Sequence, residues 1–396
     1  MKKKITIGLF NDSFFPMADG VIMVVDNYAR RLTKYANVIV FVPEYSNKKF
    51  DDKTLPYKVV RCHSFKVPFL DYSLAIPKYD KNFSKILDQY KLDIVHIHSP
   101  FTIGKAGLEY AKKHHIPCIA TMHSQFKLDF LRAVKSEKIA TILTNRLIKV
   151  FNECDECWAV NSEVARIYYE EYHYKQMPKV MNNATEMLPV NNKKLANDYI
   201  NKKYNIKADE KVFLFVGRIN KLKNIFFIAD SLKILKEKHP NLKFKMLFVG
   251  CGQDEDKLKE YIKSLNIENN VIMCGKVTDR IILAYYYQRA DLFLFPSVYD
   301  ASSIVQIEAA SQKTPTIFID HTATSATVTN NINGFISEPT TEAFSSKIYE
   351  VLNNKKLYNK VKENAYKELY KTWDATTESV FNLYKKIIKS KKNWQN

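Results

Sequence analysis

Short apolar runs rich in β-branched and aromatic residues recur along the 396-residue chain, and each is followed by a stretch with helical spacing. This alternation is typical of buried parallel strands joined by helices, because a parallel sheet is covered on both faces. The chain is also longer than one hydrophobic core usually serves, which is about 250–300 residues. The runs lie at residues 5–10, 37–42, 93–98, 117–122, 156–160, 211–217, 244–250, 270–275, 291–296 and 314–319.

The sequence therefore predicts an α/β chain of two facing, doubly wound, Rossmann-like domains with the active site in the cleft between them. The predicted domains are 1–186 and 187–371, and the polar stretch 187–210, which has little apolar periodicity at its start and a short helix after it, is the predicted linker. Residues 372–396 are predicted to form a C-terminal helix that packs back on the first domain. Helical spacing there is kept by Trp373, Val380, Phe381, Tyr384 and Ile388.

The formal net charge of +19 predicts an anionic partner, which is nucleic acid, an anionic lipid or a phosphate-bearing substrate. The opening MKKKITIGLFND lacks the features of a signal peptide, and no run approaches the ~18 apolar residues of a membrane span. Six cysteines without a secretory signal predict reduced thiols in a cytoplasm. Cys154 and Cys157 form a CxxC that we assign to packing, because no second pair completes a zinc site.

The segment VGRINKLKN (216–224) follows a predicted strand. Gly217 permits a tight turn, and Arg218 and Lys223 emerge at the carboxyl end of the strand with the reach to clamp a diphosphate. A solvated basic turn is the alternative interpretation. The position at a strand end favours a binding site.

The segment FPSVYDASSIVQIEAA (295–310) contains a strand end, a loop and a helix that begins near Ser303. A helix start offers free backbone N–H groups and a positive dipole end, which suit phosphate oxygens. Asp300 lies in the loop and Glu308 lies one turn into the helix, where carboxylates can accept hydrogen bonds from sugar or ribose hydroxyls. Two acids at this spacing are a weak signal without that context.

Together with VGCG (249–252) and TPTIFID (314–320), these segments resemble the donor half of the retaining family-4 glycosyltransferases (group 1). The resemblance covers nearly the whole chain and implies the GT-B fold, with an acceptor-binding first domain and a nucleotide-sugar-binding second domain. The family's usual first Glu is Asp300 here, and its usual Phe-Gly is Ser302-Ser303. These departures leave the identity of the donor sugar open.

The resemblance implies roles for the matching residues. Gly217, Arg218 and Lys223 would hold the donor diphosphate and neutralise the leaving nucleoside diphosphate, and Glu308 would hold the ribose. Asp300 would contact the sugar hydroxyls, and Ser303 with the backbone amides of Ile304 and Val305 would complete the phosphate site. Fixed donors of this kind can stabilise the charge without a cofactor, and no DxD motif stands in a donor-metal context, so we expect no metal. UDP is the nucleotide that we expect.

In the first half, FFPMADGVIMVVDNYARRL (14–32) resembles the family's opening loop, in which Gly20 permits close approach of the donor and Asp19 lies beside it. ATMHSQF (120–126) places His123 at a strand end, where the family has a histidine near the transferred sugar. We therefore predict His123, Asp300, Arg218 and Lys223 as the catalytic group. An ordinary glycine turn and a structural histidine are the alternatives.

His96 and His98 alternate along a predicted strand and so point to one face. Two histidines can form half of a metal site. No carboxylate accompanies them, so we do not predict them as metal ligands.

Residues 65–81 and 98–117 resemble the diacylglycerol-glycosylating branch of the family. The stretch 126–151 has helical spacing with large apolar residues, and such basic amphipathic helices bind anionic membranes. We therefore expect peripheral association with the inner face of the cell membrane and a lipid or lipid-linked acceptor, although a solvated helix face is the alternative. The predicted membrane or acceptor cations are Arg132, Lys135, Lys138, Arg146 and Lys149.

Other functions remain open at this point. The transferase could act on capsule, lipopolysaccharide, lipid-linked saccharide or protein acceptors, or the chain could be an inactive nucleotide-sugar-binding protein. A basic nucleic-acid-binding protein would explain the charge, but no nucleic-acid motif is present and the cations flank strand ends. Whether transfer with retention uses front-face attack or a covalent intermediate is not readable, because no carboxylate stands out as a nucleophile.

Overall fold

The computed structural model describes residues 4–17, 19–45, 50–66 and 73–393. The chain divides into two compact units, of which the first runs to Asn183 and resumes at Trp373 and the second is Ala184–Thr372. Each unit has its own parallel sheet covered by helices.

In the first unit, seven described strands form a parallel sheet in the spatial order β3-β2-β1-β6-β7-β8-β9, and β4 pairs with β5 in a separate antiparallel hairpin. The strand order reverses between β1 and β6. The strands are β1 (Thr6–Phe10), β2 (Asn37–Pro43), β3 (Lys58–Cys62), β4 (Ser64–Lys66), β5 (Ser73–Ala75), β6 (Ile94–Ile97), β7 (Cys118–Met122), β8 (Glu156–Ala159) and β9 (Lys179–Val180). The helices that precede residue 183 are α1 (Gly20–Leu32), α2 (Lys81–Gln89), α3 (Thr102–Lys113), α4 (Phe126–Val134), α5 (Glu137–Asn152) and α6 (Ser162–Arg166).

In the second unit, six described strands form a parallel sheet in the order β12-β11-β10-β13-β14-β15, which reverses between β10 and β13. Phenylalanines and aliphatic residues of the central strands are fully buried between the two helical layers. The strands are β10 (Lys211–Val216), β11 (Phe244–Val249), β12 (Val271–Gly275), β13 (Leu292–Phe295), β14 (Thr316–Ile319) and β15 (Phe335–Ser337). The helices are α7 (Lys193–Tyr204), α8 (Ile225–Lys238), α9 (Glu255–Ser264), α10 (Arg280–Arg289), α11 (Ile304–Ser311), α12 (Thr341–Asn353) and α13 (Lys355–Glu368).

The last helix, α14 (Trp373–Asn393), belongs to the first unit and packs along α1. The Trp373 ring lies edge-on to Tyr28 at 5.3 Å, and the Tyr384 hydroxyl lies 2.6 Å from Nδ1 of His96. The Trp373 and Tyr384 side chains are both buried. The helix thus completes the core of a unit whose other elements lie about 190 residues earlier in the chain.

The prediction of two Rossmann-like domains with parallel sheets is confirmed, and each apolar run that predicts a strand contains one. The strands that the sequence did not predict include the sheet edges β3, β9 and β15. Edge strands are short or carry polar residues, so their hydrophobic pattern is weak.

Two expectations about local structure need correction. Residues 126–151 form two helices, because Lys135 adopts a left-handed conformation (φ 51°) that ends α4, and Ser136 then caps α5. Residues 187–210 include α7, which packs against α10 within the second unit. The short helix that the sequence predicts in this stretch is thus present, but it belongs to the second unit rather than to a connection between the units.

Candidate active site

The turn after β10 is fixed by close backbone packing against the end of β11. Gly250 has φ of +143°, and a Cβ atom there would lie 1.8 Å from the carbonyl oxygen of Gly217. A Cβ at Gly252 would lie 2.2 Å from the carbonyl oxygen of Ile219. Only glycine fits these approaches, so the VGCG segment holds the turn of residues 217–219 at the carboxyl edge of the sheet.

The structure brings Lys223 and Asp300 together from neighbouring strand ends. Lys223 ends a single 3-10 turn that begins after Asn220, whose side chain accepts a hydrogen bond from the Lys223 amide. The Lys223 ammonium forms an ion pair with Oδ1 of Asp300. Arg218 is exposed, and its guanidinium has no hydrogen bond or ion pair to the residues that the structure describes. This cluster lies where the strand order reverses, the position at which open α/β sheets bind ligands.

The N-terminus of α11 lies in the same loop region. Ser303 is the N-cap residue, but its side chain forms no capping hydrogen bond to the first-turn amides, which include those of Ile304 and Val305. Within the described part of the chain, two buried oxygens of this loop also lack partners, Oγ of Ser297 and Oδ2 of Asp300. The open amides follow the loop that holds Asp300, the partner of Lys223, and Arg218 follows the neighbouring strand, so these groups together suit a phosphate-bearing ligand.

Glu308 is buried within the second unit, with 3% of its surface exposed. Its Oε1 accepts a hydrogen bond from the Arg280 guanidinium at 2.5 Å, and its Oε2 accepts one from the Tyr287 hydroxyl at 3.0 Å. Burial raises the pKa of Glu308 above its ordinary value, while Arg280 and Tyr287 oppose that rise. The sequence analysis missed both partners. A basic residue at the start of a helix and a tyrosine one turn from its end carry no signal of their own.

A cluster of three histidines lies at the carboxyl edge of the first sheet, in which His96 and His98 are buried and His123 is half-buried. Nε2 of His96 lies 2.7 Å from the Thr121 hydroxyl, and Nδ1 of His98 lies 3.0 Å from Nε2 of His123. Burial lowers the pKa of His123 to about 3 and lowers the pKa values of the other two imidazoles well below their usual range. His123 is therefore a neutral ring near pH 7, able to exchange hydrogen bonds but not to supply a positive charge.

Asp12 is a further residue of this edge that the sequence analysis missed. Its carboxylate accepts hydrogen bonds from the Ser99 hydroxyl at 2.7 Å and from the Ile103 amide at 2.7 Å, so it caps α3 from another loop. Burial raises its pKa, and these hydrogen bonds oppose the rise. Asp12 thereby joins the ends of β1 and β6, where the strand order reverses.

Asp19 and Gly20 lie at the start of α1. Oδ1 of Asp19 accepts a hydrogen bond from the Ile22 amide at 2.8 Å, which makes Asp19 a helix cap. Among the described residues, no atom outside the adjacent positions and the backbone of α1 lies within 4 Å of a Cβ placed at Gly20, so packing there does not require a glycine. The predicted role of Gly20 in donor approach remains a prediction.

Helices α4 and α5 form a surface on which cations and apolar side chains are both exposed, which we call the α4–α5 surface. Arg132 pairs with Asp129, while Lys135, Lys138, Arg146 and Lys149 are exposed. The spacing along α5 places Ile139, Ile142 and Arg146 on one helix face. The exposed large apolar residues of this surface are Leu128, Val134, Ile139 and Ile142.

Other predicted features can be placed briefly. Of the segment 65–81, residues 67–72 lie outside the described residues. Cys154 and Cys157 are buried free thiols, in agreement with a packing role. In the described ranges, no helix is long and apolar enough to cross a membrane, and no group of three or more His, Cys, Asp or Glu side chains is arranged to hold a metal ion.

Two Rossmann-like units, with the Lys223–Asp300 pair at the strand-order reversal of the second, have the architecture of the GT-B glycosyltransferases. The crystal structure of Anabaena HepE in complex with UDP has the same fold, with a TM-score of 0.76 at 13% identity, covering 96% of this chain and 100% of that one. Residues 197–368 match the model of the glycosyl transferases group 1, and residues 18–184 match that of glycosyltransferase family 4. Each half of the chain thus matches one glycosyltransferase model, and the chain belongs to the glycosyltransferases that these two models describe.

Two curated relatives carry the same name, alpha-monoglucosyldiacylglycerol synthase. That of Streptococcus pneumoniae is 28% identical over 78% of this chain and 70% of the relative. That of Acholeplasma laidlawii is 24% identical over 91% of both chains. The resemblance to the diacylglycerol-glycosylating branch is thereby confirmed.

Proposed function

We propose that this glycosyltransferase moves a hexose from a nucleoside diphosphate sugar to a membrane lipid such as diacylglycerol, with retention at the anomeric carbon and without a metal ion. The observation that supports the donor half is the position of Arg218, Lys223 and the open N-terminus of α11 after two adjacent strands, with Lys223 paired to Asp300. The two relatives named alpha-monoglucosyldiacylglycerol synthase support the lipid acceptor. We choose UDP as the first nucleotide to test, because the solved HepE structure of the same fold contains it.

The donor site supplies fixed positive charge where the reaction develops negative charge. Departure of the sugar leaves a nucleoside diphosphate, and Arg218, Lys223 and the α11 amides would neutralise its oxygens as the bond breaks. Preorganised donors of this kind are usually the largest contribution to catalysis. When Lys223 turns to the diphosphate, its ion pair with Asp300 opens, and the Asp300 carboxylate becomes free to accept hydrogen bonds from sugar hydroxyls.

In the first unit, His123 would contact the transferred sugar as a hydrogen-bonding group. His98 orients its ring through the Nδ1–Nε2 contact at 3.0 Å. Because burial holds the pKa of His123 near 3, the ring would not act as an acid in its charged form at neutral pH.

The α4–α5 surface supports association with the inner face of the cell membrane. Exposed lysines and arginines there would interact with anionic lipid headgroups, and the exposed isoleucines would enter the interface. Such contact brings the enzyme to an acceptor that is itself dissolved in the bilayer.

The function can be tested by incubating the purified protein with radiolabelled UDP-, GDP- and ADP-sugars and with anionic liposomes that contain diacylglycerol, with and without EDTA. We expect label in the extracted lipid, undiminished by EDTA, and an axial configuration at the new anomeric centre when the donor is an α-linked glucose or galactose. Lys223→Ala should reduce transfer at least a hundredfold, by analogy with the loss of one charge-stabilising donor, which costs about 10²–10³ in rate. Glu308→Ala should also reduce transfer, because it removes the carboxylate that would accept hydrogen bonds from the ribose hydroxyls.

Lys221→Ala is the matched control, because Lys221 lies in the same 3-10 turn and is exposed on it. It should keep near-normal transfer. Release of free sugar without lipid labelling would contradict the lipid acceptor, whereas failure to bind or use any donor would contradict the whole proposal.

A further inference from the structure

Arg280 occupies a position between two acidic side chains of the second unit. Its Nη2 lies 2.5 Å from Oε1 of Glu308, and its Nε lies 3.3 Å from Oε1 of Glu186. Arg280 is the first residue of α10, and Asp279 caps that helix by accepting hydrogen bonds from two amides of its first turn. The helix start therefore fixes the origin of the Arg280 side chain relative to Glu308.

Glu308 depends on a cationic partner to remain ionised in this position. A buried carboxylate without compensation becomes protonated, since burial disfavours the charged form. Within the described residues, Arg280 is the cationic side chain that pairs with Glu308. Tyr287 contacts the other oxygen, but its hydroxyl is neutral.

The carboxylate retains capacity for a ligand. An ionised carboxylate offers about four lone-pair positions on its two oxygens. Arg280 takes one on Oε1 and Tyr287 takes one on Oε2. Each oxygen thus keeps a free acceptor position, which matches the two neighbouring hydroxyls of a ribose.

We propose that Arg280 is a positioning residue, which holds the Glu308 carboxylate ionised and oriented so that its remaining lone pairs accept hydrogen bonds from the 2′ and 3′ hydroxyls of the donor ribose. The inference rests on the proposed function, in which Glu308 binds the ribose. Arg280 pairs with Glu308 and Glu186 rather than with the Lys223–Asp300 pair. Its loss should affect recognition of the ribose and leave recognition of the phosphates intact.

The test compares binding of UDP, GDP and ADP with binding of their 2′,3′-dideoxy counterparts by isothermal titration calorimetry. For the nucleotide that binds best, the wild-type protein should prefer the ribose form by about tenfold or more, as expected for hydrogen bonds to a charged group. Arg280→Gln should reduce this preference to less than threefold while the dideoxy affinity stays unchanged. Arg280→Lys, which keeps the charge, should retain part of the ribose preference. As the pH falls, this variant should lose the preference at a higher pH than the wild type does.

Arg289→Gln is the matched control. Arg289 ends the same helix and has its own partners, with Nη1 3.2 Å from Asp291 and Nε 2.6 Å from the Asn201 side chain. The control should keep the full ribose preference even if its melting temperature falls. Retention of the preference in Arg280→Gln would overturn the inference, as would a wild-type protein that binds both forms equally. Failure of the wild type to bind any nucleoside diphosphate would instead contradict the proposed function.

Discussion

At the scale of single residues, Gly250 is the position at which backbone conformation and packing most strictly require a glycine. Gly250→Ala would place a methyl group 1.8 Å from the Gly217 carbonyl oxygen, at a φ that side-chain-bearing residues rarely adopt. We expect a loss of about 2–4 kcal/mol in the free energy of unfolding, from strain and overpacking together. Urea denaturation measures the stability, and calorimetry with UDP measures the accompanying loss of donor affinity.

Gly20→Ala is the comparison, because a Cβ at Gly20 has open space around it. Its stability should change by less than about 0.5 kcal/mol. Equal effects of the two substitutions on stability would contradict the packing argument for Gly250. Loss of transfer in Gly20→Ala at unchanged stability would support the predicted role of Gly20 in donor approach.

Burial of His123 makes stability depend on pH. Its pKa in the folded protein is lowered to about 3, whereas an unfolded chain binds the proton near ~6.5. The contribution of neutral His123 to the free energy of unfolding is therefore fully present above pH ~6.5. It is lost as the pH falls, and the loss reaches about 2 kcal/mol at pH 5. Urea denaturation at pH 7 and pH 5 measures the free energy of unfolding at each pH. Between these two pH values, the free energy of unfolding should fall by about 2 kcal/mol less in His123→Asn than in the wild type. An identical loss in both proteins would contradict this assignment.

The residues at strand ends could be predicted from the sequence, but their partners could not. Lys223 and Asp300 each follow an apolar run, so their positions at strand ends could be predicted, yet their ion pair joins residues that lie 77 positions apart in the chain. Glu308 was readable as an acid in a helix, but Arg280 gave no signal because its contact depends on how α10 packs against α11. Pairing across a sheet or between helices is set by tertiary packing, which local patterns do not contain.

At the scale of elements, the strands were predicted well and the helix at 126–151 less so. Buried parallel strands show as nearly continuous apolar runs, which survive in sequence even when the strand is short. The break at Lys135 does not show, because helical spacing continues on both sides and a lysine, unlike glycine, is not a signal for the left-handed conformation.

The α4–α5 surface yields a prediction at this scale. Ile142, which is 50% exposed, should enter the interface of an anionic bilayer. Ile142→Ser should therefore weaken partitioning to phosphatidylglycerol vesicles by about threefold to tenfold, as expected for loss of a partly inserted apolar side chain. Vesicle sedimentation measures the partitioning.

Leu195→Ser provides the matched control, because Leu195 is 55% exposed on α7 of the second unit. It should partition as the wild type does. Equal losses in the two variants would show that exposed apolar area in general, rather than this surface, governs binding.

At the scale of the whole molecule, the net charge of +19 should make membrane association depend on salt. Each cation near an anionic surface contributes about 1 kcal/mol, and the range of that attraction shortens from about 10 Å at 0.1 M salt to about 3 Å at 1 M. We expect partitioning to anionic vesicles to fall at least tenfold between about 0.1 and 0.5 M NaCl. Binding that is insensitive to salt, or equal on neutral vesicles, would contradict an electrostatic role for the charge.

The return of the chain to its first unit has a consequence for how the protein is made. A ribosome produces the sheet of the first unit early, but α14, which covers His96 with Tyr384 and Tyr28 with Trp373, is translated only after the whole second unit. The second unit is continuous in sequence and has all of its strands before residue 338. During synthesis the later unit is therefore complete first, and a polypeptide that stops before Trp373 carries an unfinished core of the kind that chaperones and proteases recognise.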